Sequence, residues 1–447
     1  HLVAWVGAIG IFGVLIPMVL LGPGTPFPGA TALPTVLGTA LVIWSGGLAP
    51  TSLLTRALAS TPMVAIGKLS YGWYLWHWPV LAIARSYRLA ERQMWIDAGL
   101  AALSLGLAAL TYRFVENPMR FGVRTASRRR VYSAGTGALV LLVTTAVAVY
   151  GYTRYGVKQG MAALAANASL DKPSKHTVCS QSVRSEARLV PECLAPTGAS
   201  RLVLWGDSFA DHWAPTLEAW HSIDGPLKVE QLTKNGCPPL LGLLPTKNHA
   251  MTPTPYETCR EFNHLVIDRL VEAGAVERSG VVLSSNWWYR APMKELAGSL
   301  GGEGYHTFDI RASTRQHSLE ALETGLRASL REIEANGLRT LIVLQSPILK
   351  HPAPACAYLN RLSACSSSAD EHRMRSSEIN KTIHRVASEF PGVRTWDPTV
   401  ALCREGACPP IIDGTIAYTD NQHLSSTMSR SLAARMGPDL EWLVKAR

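Results

Sequence analysis

The chain has 447 residues and a formal charge of +10, long enough for more than one domain. Its mean hydropathy of +0.09 conceals a split: residues 1 to 153 are rich in Ala, Leu, Val, Gly and Trp, and residues from 170 onward read as a soluble domain. The excess charge is concentrated at Arg113, Arg120, Arg124, Arg128, Arg129 and Arg130; apolar segments flank this cluster, so it reads as the cytoplasmic loop of a membrane protein and not as a nucleic-acid surface.

Five apolar stretches come first. Leu2–Leu21 has spanning length, and a Pro/Gly turn follows at Pro23–Gly29. Ala32–Trp44 is a shorter second span. An amphipathic approach, Leu53–Lys68, leads into the third, Tyr71–Ala84; Ile96–Tyr112 and Val131–Tyr152 are the fourth and fifth. The chain opens inside an apolar segment with no signal-peptide cleavage pattern, which predicts that earlier spans are missing. With the arginine cluster inside, everything after Gly151 lies outside the cytoplasm. Arg85, Arg88 and Arg92 oppose this orientation, being three against six.

All eight cysteines lie in the second half, and this agrees independently with an oxidising compartment. They fall in close successive pairs, and locality favours Cys179–Cys193, Cys237–Cys259, Cys356–Cys365 and Cys403–Cys408. Buried free thiols are the alternative; without a C-x-x-C pair, no metal site is expected.

Residues 153–198 read as a linker, and 199–447 as an α/β domain. Strands are expected at Arg201–Trp205, Leu227–Leu232, Gly280–Ser285, Leu338–Gln345 and Val393–Trp396, with helices at Phe209–Trp220, Leu319–Asn336, Ser376–Phe390 and Ser425–Val444. That alternation implies a parallel sheet covered on both faces. Ligands on such sheets bind at the carboxyl ends of the strands, where Ser208 follows the first strand in "LWGDSF".

A serine hydroxyl needs a base within reach, and the base needs an orienting carboxylate. "YTDNQHLS" near the end of the chain supplies Asp420 and His423, three apart and just before the last helix. An N-cap role for Asp207-Ser208 is the bland alternative. Gly206–Ser208 together with Asp420–Ser425 resembles the SGNH (GDSL-like) hydrolase family. The resemblance implies a flavodoxin-like three-layer sandwich with Ser208 as nucleophile, His423 as base and Asp420 as its partner. It also implies an oxyanion hole from the N–H of Ser208, a glycine after the second strand and an asparagine after the third. Gly236 in "TKNGCPP" and Asn286 in "SSNWW" fit those places, though each could be an ordinary loop residue. Trp287 and Trp288 are candidates for stacking on an acceptor sugar, or are core. His212 is a weaker candidate base. Related fused domains often carry histidine after the serine; this chain has Phe209.

In the first half, "GKLSYGWYLWHWPV" (Gly67–Val80) and "TYRFVENPMR" (Thr111–Arg120) resemble late-span signatures of the acyltransferase-3 family. His77 is either an interfacial anchor or functional, and Glu116 either a structural ion pair or functional. The family's early arginine- and histidine-bearing motif is absent, so no catalytic residue is assigned to this partial transmembrane helical bundle, residues 1–152.

Together the two resemblances imply a multi-pass protein of the bacterial inner membrane. It would transfer an acyl group, derived ultimately from acetyl-CoA, to an envelope glycan such as lipopolysaccharide O-antigen or peptidoglycan. Its partners would be the lipid bilayer and that glycan, with no nucleic acid. The competing expectations are a carbohydrate acetylesterase with the same triad and a membrane-anchored glycan-binding domain without catalysis.

Overall fold

The computed structural model describes the chain except residues 1, 22–28, 90–92, 123–127, 153–159, 183–184, 221–226, 243–254, 291–314 and 446–447. The expected turn at Pro23–Gly29, except Gly29, and Arg92 and Arg124 of the charge argument lie outside the described residues. The chain divides into two compact units, His1–Tyr152 and Thr153–Arg447.

The first unit is helical: α1 (Leu2–Leu20), α2 (Leu33–Leu48), α3 (Leu53–Leu58), α4 (Thr61–Tyr87), α5 (Met94–Thr111) and α6 (Arg128–Gly151). The amphipathic approach and the third expected span are largely one helix, α4, because Ser60 and Pro62 start it early. Among the described residues, two helical stretches are long and apolar enough to cross a membrane, Ala30–Leu48 and Met94–Arg120, with shorter apolar stretches at Trp5–Leu20 and Gly135–Gly151. Trp73 and Trp76 tie α4 to α5 by donating to the hydroxyls of Ser104 and Thr111, each at 2.9 Å. Asp97 accepts from Arg85 at 3.0 Å and Arg88 at 2.5 Å. His77 turns Nδ1 back onto the Trp73 and Tyr74 carbonyls of its own helix, and Glu116 pairs with Arg120 at 3.4 Å.

The second unit contains α7 (Gly160–Ala168), α8 (His176–Cys179), β1 (Ser180–Gln181), β2 (Arg201–Gly206), α9 (Ser208–Asp211), α10 (Ala214–Ala219), β3 (Lys228–Lys234), α11 (Pro255–Gly274) and β4 (Gly280–Ser284). Then come α12 (Arg315–Ala335), β5 (Arg339–Val343), α13 (Ala353–Tyr358), α14 (Leu362–Cys365), α15 (Ala369–Ala387), β6 (Val393–Trp396), α16 (Ser426–Ser431) and α17 (Ala433–Val444). The strands form one parallel sheet in the order β1-β3-β2-β4-β5-β6. Without edge strand β1, this is the flavodoxin-like order, which reverses beside the first long strand.

Alternate residues of the strands feed two cores. Leu202, Leu204, Val282, Leu341 and Val343 pack with Trp213 and Leu217 near and within α10, and with Leu440 and Leu443 of α17. Val203, Trp205, Val281, Leu283 and Ile342 pack with Phe262 and Val266 of α11, Leu326 and Ile333 of α12, and Ile379 and Ile383 of α15. The result is the three-layer α/β sandwich that the resemblance implied.

Two expected helices are broken. Phe209–Trp220 divides at His212-Trp213, where Pro215 cannot donate within a continuous helix and instead sits in the first turn of α10. Ser425–Val444 divides at Leu432. Helix α11 and strand β1 were not foreseen. Much of the expected linker is packed structure: α7, α8 and β1 lie within it, and Leu189 and Leu194 pack against the sandwich core. The four disulfides join the cysteines as locality suggested.

Two buried histidines make the fold acid-sensitive. His372, 3% exposed, donates Nε2–H to the Gln345 carbonyl at 3.1 Å. Burial above all lowers its pKa to about 4 from the ordinary 6.5, against the opposing Asp397 charge and the Gln345 hydrogen bond. Burial likewise holds His212 well below its ordinary value. Between pH 6.5 and about 4 the unfolded chain binds a proton that the folded His372 refuses. This contribution to stability is therefore full above 6.5 and is lost as pH falls. The thermal midpoint of this unit should drop between about pH 7 and about pH 4.5. His372→Gln keeps the donor without the titration and should flatten that drop, as read by scanning fluorimetry of the full chain.

Candidate active site

The Ser208 turn starts from a close approach of two strands. Gly206 pairs with Thr233 of β3 and Ser284 of β4, and a Cβ on Gly206 would lie 1.8 Å from the Ser284 carbonyl oxygen. Only glycine fits there. Asp207 then caps α9, accepting from the Phe209 N–H at 2.8 Å. Its buried carboxylate also accepts the Ser285 hydroxyl at 2.6 Å and the Asn286 N–H at 3.0 Å. Ser208 is thus fixed on one side of Asp207, and Asn286 on the other.

The loop before α16 delivers the imidazole. Thr419 N–H donates to the His423 carbonyl at 2.8 Å, and Tyr418 bridges Leu424. Within this turn Asp420 Oδ1 accepts the N–H groups of Gln422 and His423, each at 2.7 Å, while Oδ2 accepts Nδ1–H of His423 at 2.6 Å. A carboxylate at Nδ1 leaves Nε2 as the acceptor, and Nε2 lies 2.9 Å from Ser208 Oγ. The D-x-x-H spacing works because one short turn lets the carboxylate hold both the backbone and the ring. Burial pushes the Asp420 pKa up, but the His423 hydrogen bond and charge and the two backbone donors outweigh it, so the carboxyl titrates below its ordinary range.

The remaining candidates separate. Gly236 sits in a tight turn at φ +70° beyond β3, with Cys237 N–H donating to the Lys234 carbonyl at 2.9 Å. Cys237 is anchored to α11 through Cys259. Asn286 is 2% exposed, and neither atom of its side-chain amide has a partner among the described residues. The register sets Gly206, Thr233 and Ser284 abreast, so Ser208, Gly236 and Asn286 all follow closely at the same edge of the sheet.

Trp287 and Trp288 are not a sugar platform. They are 0% and 4% exposed, and their indole N–H groups donate inward, to the Val343 carbonyl and the Ser376 hydroxyl, each at 2.8 Å. Packing against α12 and α15 takes the faces that a sugar would need. His212 is not placed as a base, since its ring nitrogens have no partner among the described residues. Its ring packs against Phe209 at 5.2 Å, Trp213 at 5.2 Å and His423 at 6.2 Å. Phe209, at the position after the serine, packs tilted against His423 with ring centroids 5.4 Å apart.

Residues 178–438, more than half of the chain, match the family described as "SGNH domain (fused to AT3 domains)". The chain belongs to this family. It is 35% identical over 72 residues to the O-acetyltransferase OatA of Staphylococcus aureus strain NCTC 8325, a stretch covering 16% of this chain and 12% of OatA. It is 35% identical over 82 residues to the Bacillus subtilis protein named "Putative peptidoglycan O-acetyltransferase YrhL", covering 18% of this chain and 13% of that protein. The chain thus matches only about an eighth of the length of these curated relatives. The periplasmic domain of a lipopolysaccharide acetyltransferase of Salmonella ser. Paratyphi A aligns with a TM-score of 0.38 and 16% identity over 55% of this chain and 85% of that domain.

The sequence reading missed the role of Asp207 as more than a cap. The signal was present, an acid directly before the serine at a strand end, but its second set of partners lies 78 and 79 residues away. Asp207→Ala strands the donors of Phe209, Ser285 and Asn286 in the interior. At about 1–3 kcal/mol for each orphaned buried group, the substitution should cost about 3 kcal/mol or more of stability, measured as the shift in urea midpoint of the full chain.

Proposed function

We propose that this protein transfers an acyl group, acetyl by preference, to a hydroxyl of a cell-envelope polysaccharide through an acyl-enzyme on Ser208. The observation that carries the reading is the unbroken chain of hydrogen bonds from Ser208 Oγ to His423 Nε2 and from His423 Nδ1–H to Asp420. In the first half-reaction Oγ attacks the donor carbonyl carbon. The hydroxyl proton passes to Nε2, and Asp420 stabilises the resulting imidazolium. The Ser208 and Gly236 N–H groups and the Asn286 amide would receive the oxyanion. The donor's leaving group departs with the proton from Nε2. In the second half-reaction Nε2 takes the proton of a sugar hydroxyl as its oxygen attacks the acyl-serine, and Oγ is released with a proton.

Family membership and relatives named as O-acetyltransferases support transfer. Acetyl-CoA is the proposed ultimate source of the acetyl group. We place the apolar helices of residues 1–152 as multiple spans of the bacterial inner membrane and residues 153–447, with their four disulfides, outside the cytoplasm.

One observation favours a second reading, the esterase. The side chains of His423 and Asp420 are 25% and 43% exposed, so water reaches the relay directly. Full-length protein incubated with an acetyl ester and an envelope oligosaccharide separates the two readings. Acetylated sugar supports transfer, and free acetate alone supports hydrolysis. Ser208→Ala should abolish labelling by a fluorophosphonate and lower turnover about 10³-fold or more, with His423→Ala comparable. Asn286→Ala should lower kcat about 10²-fold. Labelling retained in Ser208→Ala would refute the acyl-serine itself.

A further inference from the structure

The six residues Asp171–His176 lie just before the segment that matches the family, which begins at residue 178. They are folded tightly: Asp171 N–H donates to the Ala168 carbonyl at 3.2 Å, Lys172 N–H to Leu170 at 2.9 Å, and His176 N–H to Pro173 at 3.0 Å. Pro173 is buried. Each end of this strap reaches an element that carries or adjoins a different member of the relay. At one end Asp171 meets α16, which begins three residues after His423. Its carbonyl accepts the Ser426 N–H at 2.7 Å, and its Oδ2 accepts the Thr427 N–H at 3.0 Å. These are two of the donors that the first turn of a helix cannot satisfy by itself. At the other end His176 Nδ1–H donates at 2.5 Å to Oδ2 of Asp211, which lies three residues after Ser208 and closes α9. Asp211 is 3% exposed, and its other oxygen accepts from Gln231 Nε2 at 2.7 Å.

Behind the site α16 also meets α10, the helix that follows α9. Thr216 Oγ1, in α10 next to α9, donates to the Ser429 carbonyl of α16 at 2.7 Å. Helix α10, which follows the nucleophile helix, therefore packs directly on the helix after the base, and the strap adds a separate bridge from α16 to Asp211 of α9 itself. The added bridge constrains how α9 sits against α16, and the Ser208–His423 distance depends on that placement, because the two residues are 215 positions apart and come from different elements.

We propose that Asp171 and His176 are positioning residues: the strap between them sets the separation and orientation of Ser208 and His423. This rests on the acyl-serine reading above. Neither residue touches substrate. Asp171 acts through the first turn of α16, which follows His423, and His176 through the last residue of α9, which begins with Ser208.

The test uses full-length protein in detergent, with p-nitrophenyl acetate as acyl donor. Asp171→Ala and His176→Ala should each lower kcat about tenfold while KM stays within about twofold, since positioning of reacting groups is felt in the transition state. Asp171→Asn keeps an acceptor for Thr427, and His176→Asn keeps a donor where Nδ1 was, so both should recover most of the loss. Hydrogen exchange at the Thr427 amide should rise in Asp171→Ala and return in Asp171→Asn. If the alanine variants keep wild-type kcat, or the asparagine variants are as slow as the alanine ones, the proposal fails. Ser208→Ala is run alongside: burst release of nitrophenol that survives in Ser208→Ala overturns the acyl-serine reading instead. His176 is partly exposed, so if Asp171→Ala does not accumulate as folded protein, His176→Ala against His176→Asn decides alone.

Discussion

A buried carboxylate governs this site. Asp207 is 2% exposed, and an ion in that position must be met by several donors or it destabilises the fold. It finds them on two strand ends at once: the Phe209 N–H on its own side, and the Ser285 hydroxyl and Asn286 N–H across the sheet. The same bonds that satisfy the charge lock the serine turn to the strand end that carries the asparagine amide. Glycine at 206 is the precondition, since any side chain would push β2 off the Ser284 carbonyl and pull the carboxylate out of range. Ser208 and the Asn286 strand end are thus held in register by backbone and charge, with little left to side-chain freedom.

The imidazole is held on a different principle. Asp420 is not buried like Asp207; it is braced by its own loop, with three donors from residues 422 and 423. The loop in turn hangs on a neighbouring segment. Leu349 N–H donates to the Asn421 carbonyl at 2.8 Å, and Ala353 N–H to the Asp420 carbonyl at 2.9 Å. That segment runs into α13 and α14, which the Cys356–Cys365 disulfide joins. A cross-linked platform beneath an exposed acid lets the pair stay oriented while remaining open to an acceptor.

Local chemistry was legible in the sequence, and long-range partnership was not. Strands β2, β4 and β5 were readable to within a residue or two because buried parallel strands are largely apolar runs that stop at glycine or polar residues, while β3 and β6 rested on shorter apolar alternation. The serine turn and the D-x-x-H turn were readable because each is complete within a few residues. Edge strand β1 escaped because Ser180-Gln181 carries no apolar signal. The break in the helix after Ser208 was foreshadowed by Pro215, yet the apolar pattern runs straight through it. The paired tryptophans show the limit most plainly. An aromatic doublet after a strand looks the same whether it faces a sugar or a core. The difference lies in whether the indole N–H groups find partners inside, and those partners, Val343 and Ser376, are 56 and 88 positions away. Asp171 has no motif at all; its role exists only because Thr427, 256 residues on, comes to it.

With the tryptophans in the core, selection between sugar and water cannot rest on an aromatic platform formed by those two residues. Nor, on the proposed acyl-serine, can it rest on the relay, because Nε2 of His423 would remove a proton from either hydroxyl by the same geometry. What remains is the frequency with which a correctly oriented sugar oxygen occupies the place beside the acyl-serine. Orientation of that kind is worth several orders of magnitude in effective concentration, enough for a bound glycan to outcompete solvent even at an exposed relay. A partly exposed acid and base are therefore compatible with the proposed transfer, since full enclosure would exclude an extended polymer together with water. Control over hydrolysis then belongs to acceptor binding and not to the triad, whose geometry is common to both outcomes.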